Sequence, residues 1–186
     1  MKRIFDIVLA LFLFFVFLIP MVGIALGIKL TSKGDVIFWS NRIGINGVVF
    51  SMPKFRSMVL GTPNVATHLL EDVNNSLTAL GRVLRKYSLD ELPQLWSIIK
   101  GDMSFVGPRP ALYNQDDLIQ LRKKYSVDSV LPGLTGWAQV NGRDGLTIEE
   151  KVKMDAEYLN RKSFLFDLRI LWLTFVKILN TDDISH

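Results

Sequence analysis

Hydrophobic and polar positions divide this chain into two unequal parts. From Ile7 to Ile28 no side chain is charged, a run long enough for a membrane helix. A helix from Ile4 to Ile28 would be about 37 Å long at 1.5 Å per residue, against a hydrocarbon core of about 30 Å. Pro20 lies inside the run and should break the backbone ladder and kink the helix. Lys2 and Arg3 precede the run and Lys29 and Lys33 follow it, so the positive-inside rule places both ends on the cytoplasmic side. Together these features favour a re-entrant helix over residues 1–30, with a tilted single span as the alternative. The run is too long for a cleaved secretory signal and meets no clear cleavage site, so it is read as retained.

Downstream, the pattern predicts short elements. Asn46-Gly47 lies between apolar runs in Asp35–Phe50 and signals a two-residue hairpin turn. Gly61–Ser76, with Pro63, Asn64, Asn74 and Asn75, reads as a loop. Leu77–Lys86 reads as a short basic helix, and the next helix starts near Asp90 and ends near Gly101. Tyr113–Tyr125 is a helix with a charged outer face, and the glycine-rich Leu131–Gly145 is a long loop. Thr147–Lys162 is a helix opened by a capping box of Thr147 and Glu150. Phe164–Leu179 is rich in Leu, Ile, Phe and Trp172, but Asp167, Arg169 and Lys177 interrupt it. It is a poor span and fits a helix lying in the membrane interface, with a core helix as the alternative. The expected fold is α+β, rich in helix: a catalytic domain over residues 31–186 with interfacial helices, seated on a membrane-embedded helix.

Composition narrows the chemistry. The chain has 186 residues, enough for one domain, and no cysteine, so disulfides and thiolate metal sites are excluded. Its two histidines, His68 and His186, exclude a multi-histidine zinc site. A catalytic metal would sit on oxygen ligands, which favours magnesium or manganese. The net charge of +4 suits anionic headgroups and phosphate substrates. No aromatic-basic motif or recognition helix points to nucleic acid.

Candidate chemistry concentrates in Ser88–Pro110. Asp90 and Glu91 are adjacent carboxylates at a helix start, where a capping box headed by Ser88 is the structural alternative. Pro93 is tolerated only in a first turn, so Asp90 sits near free backbone N–H groups that attract anions. Arg85 and Lys86 would help keep Asp90 ionised, and an ionised aspartate beside phosphate-binding groups can attack phosphorus. Pro108-Arg109-Pro110 holds a guanidinium on a stiff backbone, suited to bidentate phosphate recognition. Lys54 and Arg56 alternate with apolar residues and would share one strand face. In the glycine-rich stretch, Trp137 could stack on a base and Arg143 could take a phosphate. Asp155 falls inside the apolar stripe of Ile148, Val152, Ala156 and Leu159, so it needs a cationic partner or a metal. Asp167, within an apolar run, raises the same question.

Lys54–Met58, Ser88–Pro110 and Pro132–Arg143, behind an N-terminal Lys-Arg-Ile-Phe-Asp and an apolar helix with a proline, resemble the bacterial sugar transferases known as monotopic phosphoglycosyl transferases. The likeness is greatest to the small bacillosaminyl-phosphate transferase type. The resemblance implies transfer of a sugar-1-phosphate from a UDP-sugar to undecaprenyl phosphate, releasing UMP, at the cytoplasmic face of a bacterial inner membrane and with magnesium required. Asp90 would be the nucleophile and would also lie at the metal, and Glu91 would assist. Pro108, Arg109 and Pro110 would hold the nucleotide, and Lys54, Arg85, Arg143 and Asp167 match polar positions around the site; Asp155 is a further addition. Ile19 stands where relatives of this type often carry serine before the kink proline. The compact form leans toward a 2-acetamido sugar, and the oligomeric state stays open, a homo-oligomer included. A catalytically silent membrane-anchored scaffold and a magnesium-dependent nucleotide-sugar hydrolase are the competing readings.

Overall fold

The computed structural model describes residues 1–63, 76–142 and 145–179. It opens with helices α1 (Lys2–Val16) and α2 (Leu18–Thr31), bent by 60° to one another. The break falls at Phe17, ahead of the expected Pro20. A proline cannot bond the carbonyl four residues back and its ring crowds that carbonyl; for Pro20 this is Val16, where α1 ends. Pro20 then occupies the first turn of α2, where N–H groups have no intrahelical partner. Among the described residues no single helix is long and apolar enough to cross a membrane, although the bent pair together is.

The head of α1 is tied to the rest of the chain. Lys2 Nζ donates to Asp167 Oδ2 at 2.5 Å and to the Val106 carbonyl at 3.2 Å. Arg3 donates to the carbonyls of Ile98 and Ile99 at 2.6 and 2.8 Å, which sit at the negative end of a later helix. Asp6, fully buried, accepts from Ser104 Oγ at 2.8 Å. Beyond this turn α1 and α2 expose Val8, Phe12, Phe15, Ile19, Val22, Leu26 and Leu30, large apolar side chains of the kind that meet lipid or protein when they cluster.

Strands β1 (Ile37–Ile43) and β2 (Val49–Phe55) pair antiparallel, with Ile43 opposite Val49. Asn46 and Gly47 both take positive φ, as a tight hairpin turn demands. Val48 N–H closes that turn on the Ile45 carbonyl at 3.2 Å. Helix α3 (Ala79–Lys86) is capped by Thr78, which accepts from Gly81 N–H at 2.9 Å. A 3-10 turn over Leu89–Glu91 leads into α4 (Gln94–Lys100), closed by Gly101 at φ 106. Ser88 makes no side-chain cap and sits instead at φ 54, so the capping box that was the structural alternative is absent and Asp90 and Glu91 ride on the 3-10 turn.

β3 (Ser104–Val106) pairs in parallel with β4 (Gly133–Thr135). Between them lies α5 (Asp116–Lys124), and α6 (Trp137–Asn141) follows β4. The stretch read as a long glycine-rich loop therefore holds a strand and a helix. Its glycines serve backbone packing: a methyl at Gly136 would lie 2.1 Å from the Gly107 carbonyl oxygen. Helix α7 (Ile148–Arg161) carries the expected Thr147–Glu150 capping box in full. Helix α8 (Phe164–Leu179) buries Phe166, Asp167 and Ile170 in the core while exposing Leu165, Trp172 and Phe175. The alternative of a core helix thus holds for one face, and the other face is exposed and apolar. The main core joins Ala10 of α1 to Phe50, Met52, Ile98, Met103, Phe105, Tyr158 and Ile170. The result is an α-rich α+β fold. The expected loop over residues 61–76 falls largely outside the described residues.

Gly136 is extended at φ −170, so only the steric clash opposes a side chain. Gly136→Ala should lose about 2 kcal/mol of unfolding free energy in a urea titration. Gly145→Ala, with nothing within 4 Å, should change little.

Candidate active site

Glu91 is the centre of the arrangement. Lys54 Nζ, from the end of β2, and Arg109 Nη2 both donate to Glu91 Oε1 at 2.8 Å. Asp90, one residue earlier, is buried and lies beside the same cations without being bonded by either. The two carboxylates are thereby separated electrostatically. Burial pushes Glu91 up, but Arg109 and Lys54 pull it well below the usual carboxylate range. Burial raises Asp90, with Glu91 adding to the rise and Lys54, Arg85 and Arg109 opposing it. Burial likewise lowers Lys54 against the pull of Glu91.

The backbone around Arg109 is fastened carbonyl by carbonyl. Gly107 N–H donates to Thr135 at 2.9 Å, and the Pro108 carbonyl accepts from Gly133 N–H at 2.9 Å. The Arg109 carbonyl accepts from Arg122 at 2.7 Å, that of Pro110 from Arg42 at 3.2 Å, and that of Ala111 from Ile43 N–H at 2.9 Å. The stiffness expected from two prolines is therefore reinforced by β1, β4 and α5. A small cleft lined by Arg42, Met52, Lys54, Gln94, Arg109 and Pro110 opens beside this segment. A more apolar pocket, bounded by Ile43, Pro108, Val127 and Pro132, lies on its other side.

The bacterial sugar transferase family model matches residues 1–181. The chain belongs to that family. It is 39% identical, over its full length and 91% of the other protein, to the uncharacterized sugar transferase EpsL of Bacillus subtilis (strain 168). It is 40% identical over 95% of its length to the UDP-glucose:undecaprenyl-phosphate glucose-1-phosphate transferase of Escherichia coli (strain K12), of which it spans 40%. The exopolysaccharide production protein ExoY of Sinorhizobium fredii (strain NBRC 101917 / NGR234) is 36% identical over 93% of the chain and 83% of that protein.

Within this family member, the residues picked from sequence fall into three groups. Lys54, Asp90, Glu91 and Arg109 come together, with Arg85 close enough for its charge to act on Asp90. Pro108 and Pro110 flank Arg109 as anchored backbone. Arg56, Asp155 and Asp167 are committed elsewhere. β2 ends at Phe55, so the alternation that would put Arg56 beside Lys54 does not reach it. Arg56 donates instead to the Ser32 carbonyl and hydroxyl at 3.2 and 2.8 Å. Asp155 meets the need of a buried charge through Arg122, at 2.7 Å to Nη2, and since Arg122 also holds the Arg109 carbonyl it supports the site from behind. Asp167 receives Lys2 and the Tyr158 hydroxyl, the latter at 2.8 Å. Burial, then Asp167, raises the Tyr158 hydroxyl above its ordinary range, so it stays a donor. Trp137 Nε1 donates to Glu157 at 2.9 Å. Arg143 lies outside the described residues.

Sequence reasoning missed Arg42, Gln94 and Arg122. Gln94 follows Asp90 by one helical turn, a spacing that could have marked it. Arg42 and Arg122 carry no local signal, since each reaches the site across the fold. Among the described residues no group of three or more Asp, Glu or His side chains could hold a metal. Magnesium, however, commonly takes one or two carboxylates plus substrate phosphates, and Asp90 with a phosphate ligand meets that description.

Glu91→Ala would strand Lys54 in a buried position. It should lower the unfolding free energy by about 3 kcal/mol, read in chemical denaturation. The double variant Glu91→Ala/Lys54→Met should lose less than the sum of the single changes.

Proposed function

We propose that this protein transfers a sugar-1-phosphate from a UDP-sugar to undecaprenyl phosphate through a covalent phospho-sugar intermediate on Asp90. The observation that carries the reading is the division of labour in the dyad: both donors go to Glu91, and Asp90 is left beside them without a bond to either. The names of the relatives, UDP-glucose:undecaprenyl-phosphate glucose-1-phosphate transferase among them, support the substrates. They also favour a hexose such as glucose over the 2-acetamido sugar suggested by the compact form.

An Asp90 carboxylate oxygen attacks the phosphorus that carries the sugar, and the bond from that phosphorus to the bridging oxygen breaks, releasing UMP. An oxygen of undecaprenyl phosphate then attacks the same phosphorus, forming the lipid diphosphate-sugar and returning Asp90 to a carboxylate. Once Asp90 is ionised neither attack requires a base, because each nucleophile then attacks as an anion. Arg109 and Lys54, fixed through Glu91, lie where they can offset charge on the phosphoryl oxygens. Magnesium bound by Asp90 and substrate phosphates would add electrostatic stabilisation of the leaving UMP. The bent α1–α2 pair, its exposed apolar residues and the outer face of α8 support a re-entrant seating at the cytoplasmic face of the membrane.

Asp90→Asn should abolish turnover while the protein remains folded by circular dichroism. Incubation of the unaltered protein with donor alone should add the mass of a phospho-sugar to the peptide containing Asp90. Turnover without such an adduct would overturn the covalent route, and UMP release at an undiminished rate without lipid phosphate would mark a hydrolase. A protein that folds and binds but releases no UMP from a panel of UDP-sugars would be the scaffold.

The raised position of Asp90 sets the pH dependence. Attack needs the carboxylate, so kcat/KM for the donor should fall on the acid side at a pH above the ordinary aspartate value. Lys54 holds Asp90 down, so Lys54→Met should move that limb to higher pH.

The chain has no native cysteine, so single cysteines placed ahead of Met1 and at Lys33 report topology directly. Both should label from the cytoplasmic side; labelling from opposite sides would establish a span.

A further inference from the structure

We infer that Gln94 and Arg42 contact the diphosphate of the donor directly, their N–H groups completing an anion subsite whose other donors are Lys54 and Arg109. The inference rests on the transferase reading and assigns two further residues to it. Gln94 is 2% exposed, yet its amide nitrogen has no hydrogen-bond partner. A buried, unpaired amide is a net loss to the folded state, and native structures keep few of them. Gln94 lines the cleft shared by Arg42, Lys54, Arg109 and Pro110. It also lies four residues after Asp90, on the same side of the turn that continues into α4.

Arg42 enters the same cleft from β1. Its Nε donates to Ser40 Oγ at 3.0 Å and its Nη1 to the Pro110 carbonyl at 3.2 Å. Both acceptors are neutral, and no ion pair with Arg42 is found among the described residues. Burial and the repulsion of Arg109 lower the guanidinium to about 10, so it remains charged at neutral pH. Arg42, Lys54 and Arg109 thus place three cations around the single low-lying carboxylate of Glu91. The side-chain polar groups lining the cleft are nearly all donors. The Gln94 amide lacks a partner, and the three cations outnumber the two carboxylates of the dyad, so an anion with several oxygens suits the cleft, and a diphosphate is one.

The test uses inorganic pyrophosphate as probe and the full chain in detergent, with binding followed by calorimetry. The unaltered chain should bind it, and Gln94→Met should weaken binding at least about tenfold while melting no lower than the unaltered chain, because the amide it removes bonds nothing. Arg42→Met should weaken binding similarly and Arg42→Lys less. Lys124→Met, on the exposed face of α5, controls for net charge and should bind normally. If Arg42→Met does not fold, Gln94→Met decides the matter alone. Unchanged pyrophosphate binding in Gln94→Met, or no binding by the unaltered chain, would overturn the assignment. Weakened binding in the variants together with no sugar-phosphate transfer by the unaltered chain would keep the subsite and reject the transferase reading.

Discussion

A single carboxylate oxygen, Glu91 Oε1, fixes the geometry of the site. It receives Lys54 from the hairpin and Arg109 from the Pro108–Pro110 segment, tying together pieces of chain that pack from different sides. The Lys54 half of it is largely removed from water, whereas Arg109 stays half exposed, and hydrogen bonds between charged groups are the stronger kind. It also breaks the symmetry of the dyad. Two adjacent carboxylates in one buried spot cannot share their counter-charges equally without both being half-satisfied. Giving both donors to Glu91 holds it as a permanent anion and keeps Asp90 available for a ligand.

Behind this pair, the structure spends much of its polar interior on one short segment. Every carbonyl from Val106 to Ala111 except that of Gly107 accepts a bond from a different part of the fold. The buried ion pair of Asp155 with Arg122 and the Asp167–Tyr158–Lys2 cluster both end on this segment. Their carboxylates act through backbone placement. A guanidinium held this way can meet a phosphate without first being ordered, which lowers the entropic cost of binding.

The parts of this design that were legible in the sequence are those set by local rules. The dyad, the proline-flanked arginine and the Thr147 capping box depend on residues within a few positions of each other. The proline rule also contains the true bend: the carbonyl four residues before Pro20 belongs to Val16, and α1 stops there. What was not legible depends on where an element ends or on contacts across the fold. Lys54 and Arg56 look equivalent by alternation, but the strand ends between them. Asp155 announced that it needed a partner, yet Arg122 lies on another helix and no periodicity points to it. The strand and helix inside the glycine-rich stretch were hidden because its glycines permit close backbone packing as readily as they permit a loop.

The head of α1 is bolted down by Lys2, Arg3 and Asp6, which between them reach β3, α4 and α8. A helix clamped at its head behaves as a strut, about 22 Å long for fifteen residues. Its head is packed into the same core as the elements around the dyad, so in the proposed seating the resting plane of its apolar flank would set the height of Asp90. A lipid phosphate whose tail stays in the bilayer travels in two dimensions only. For such a partner, a fixed standoff replaces the search along the third.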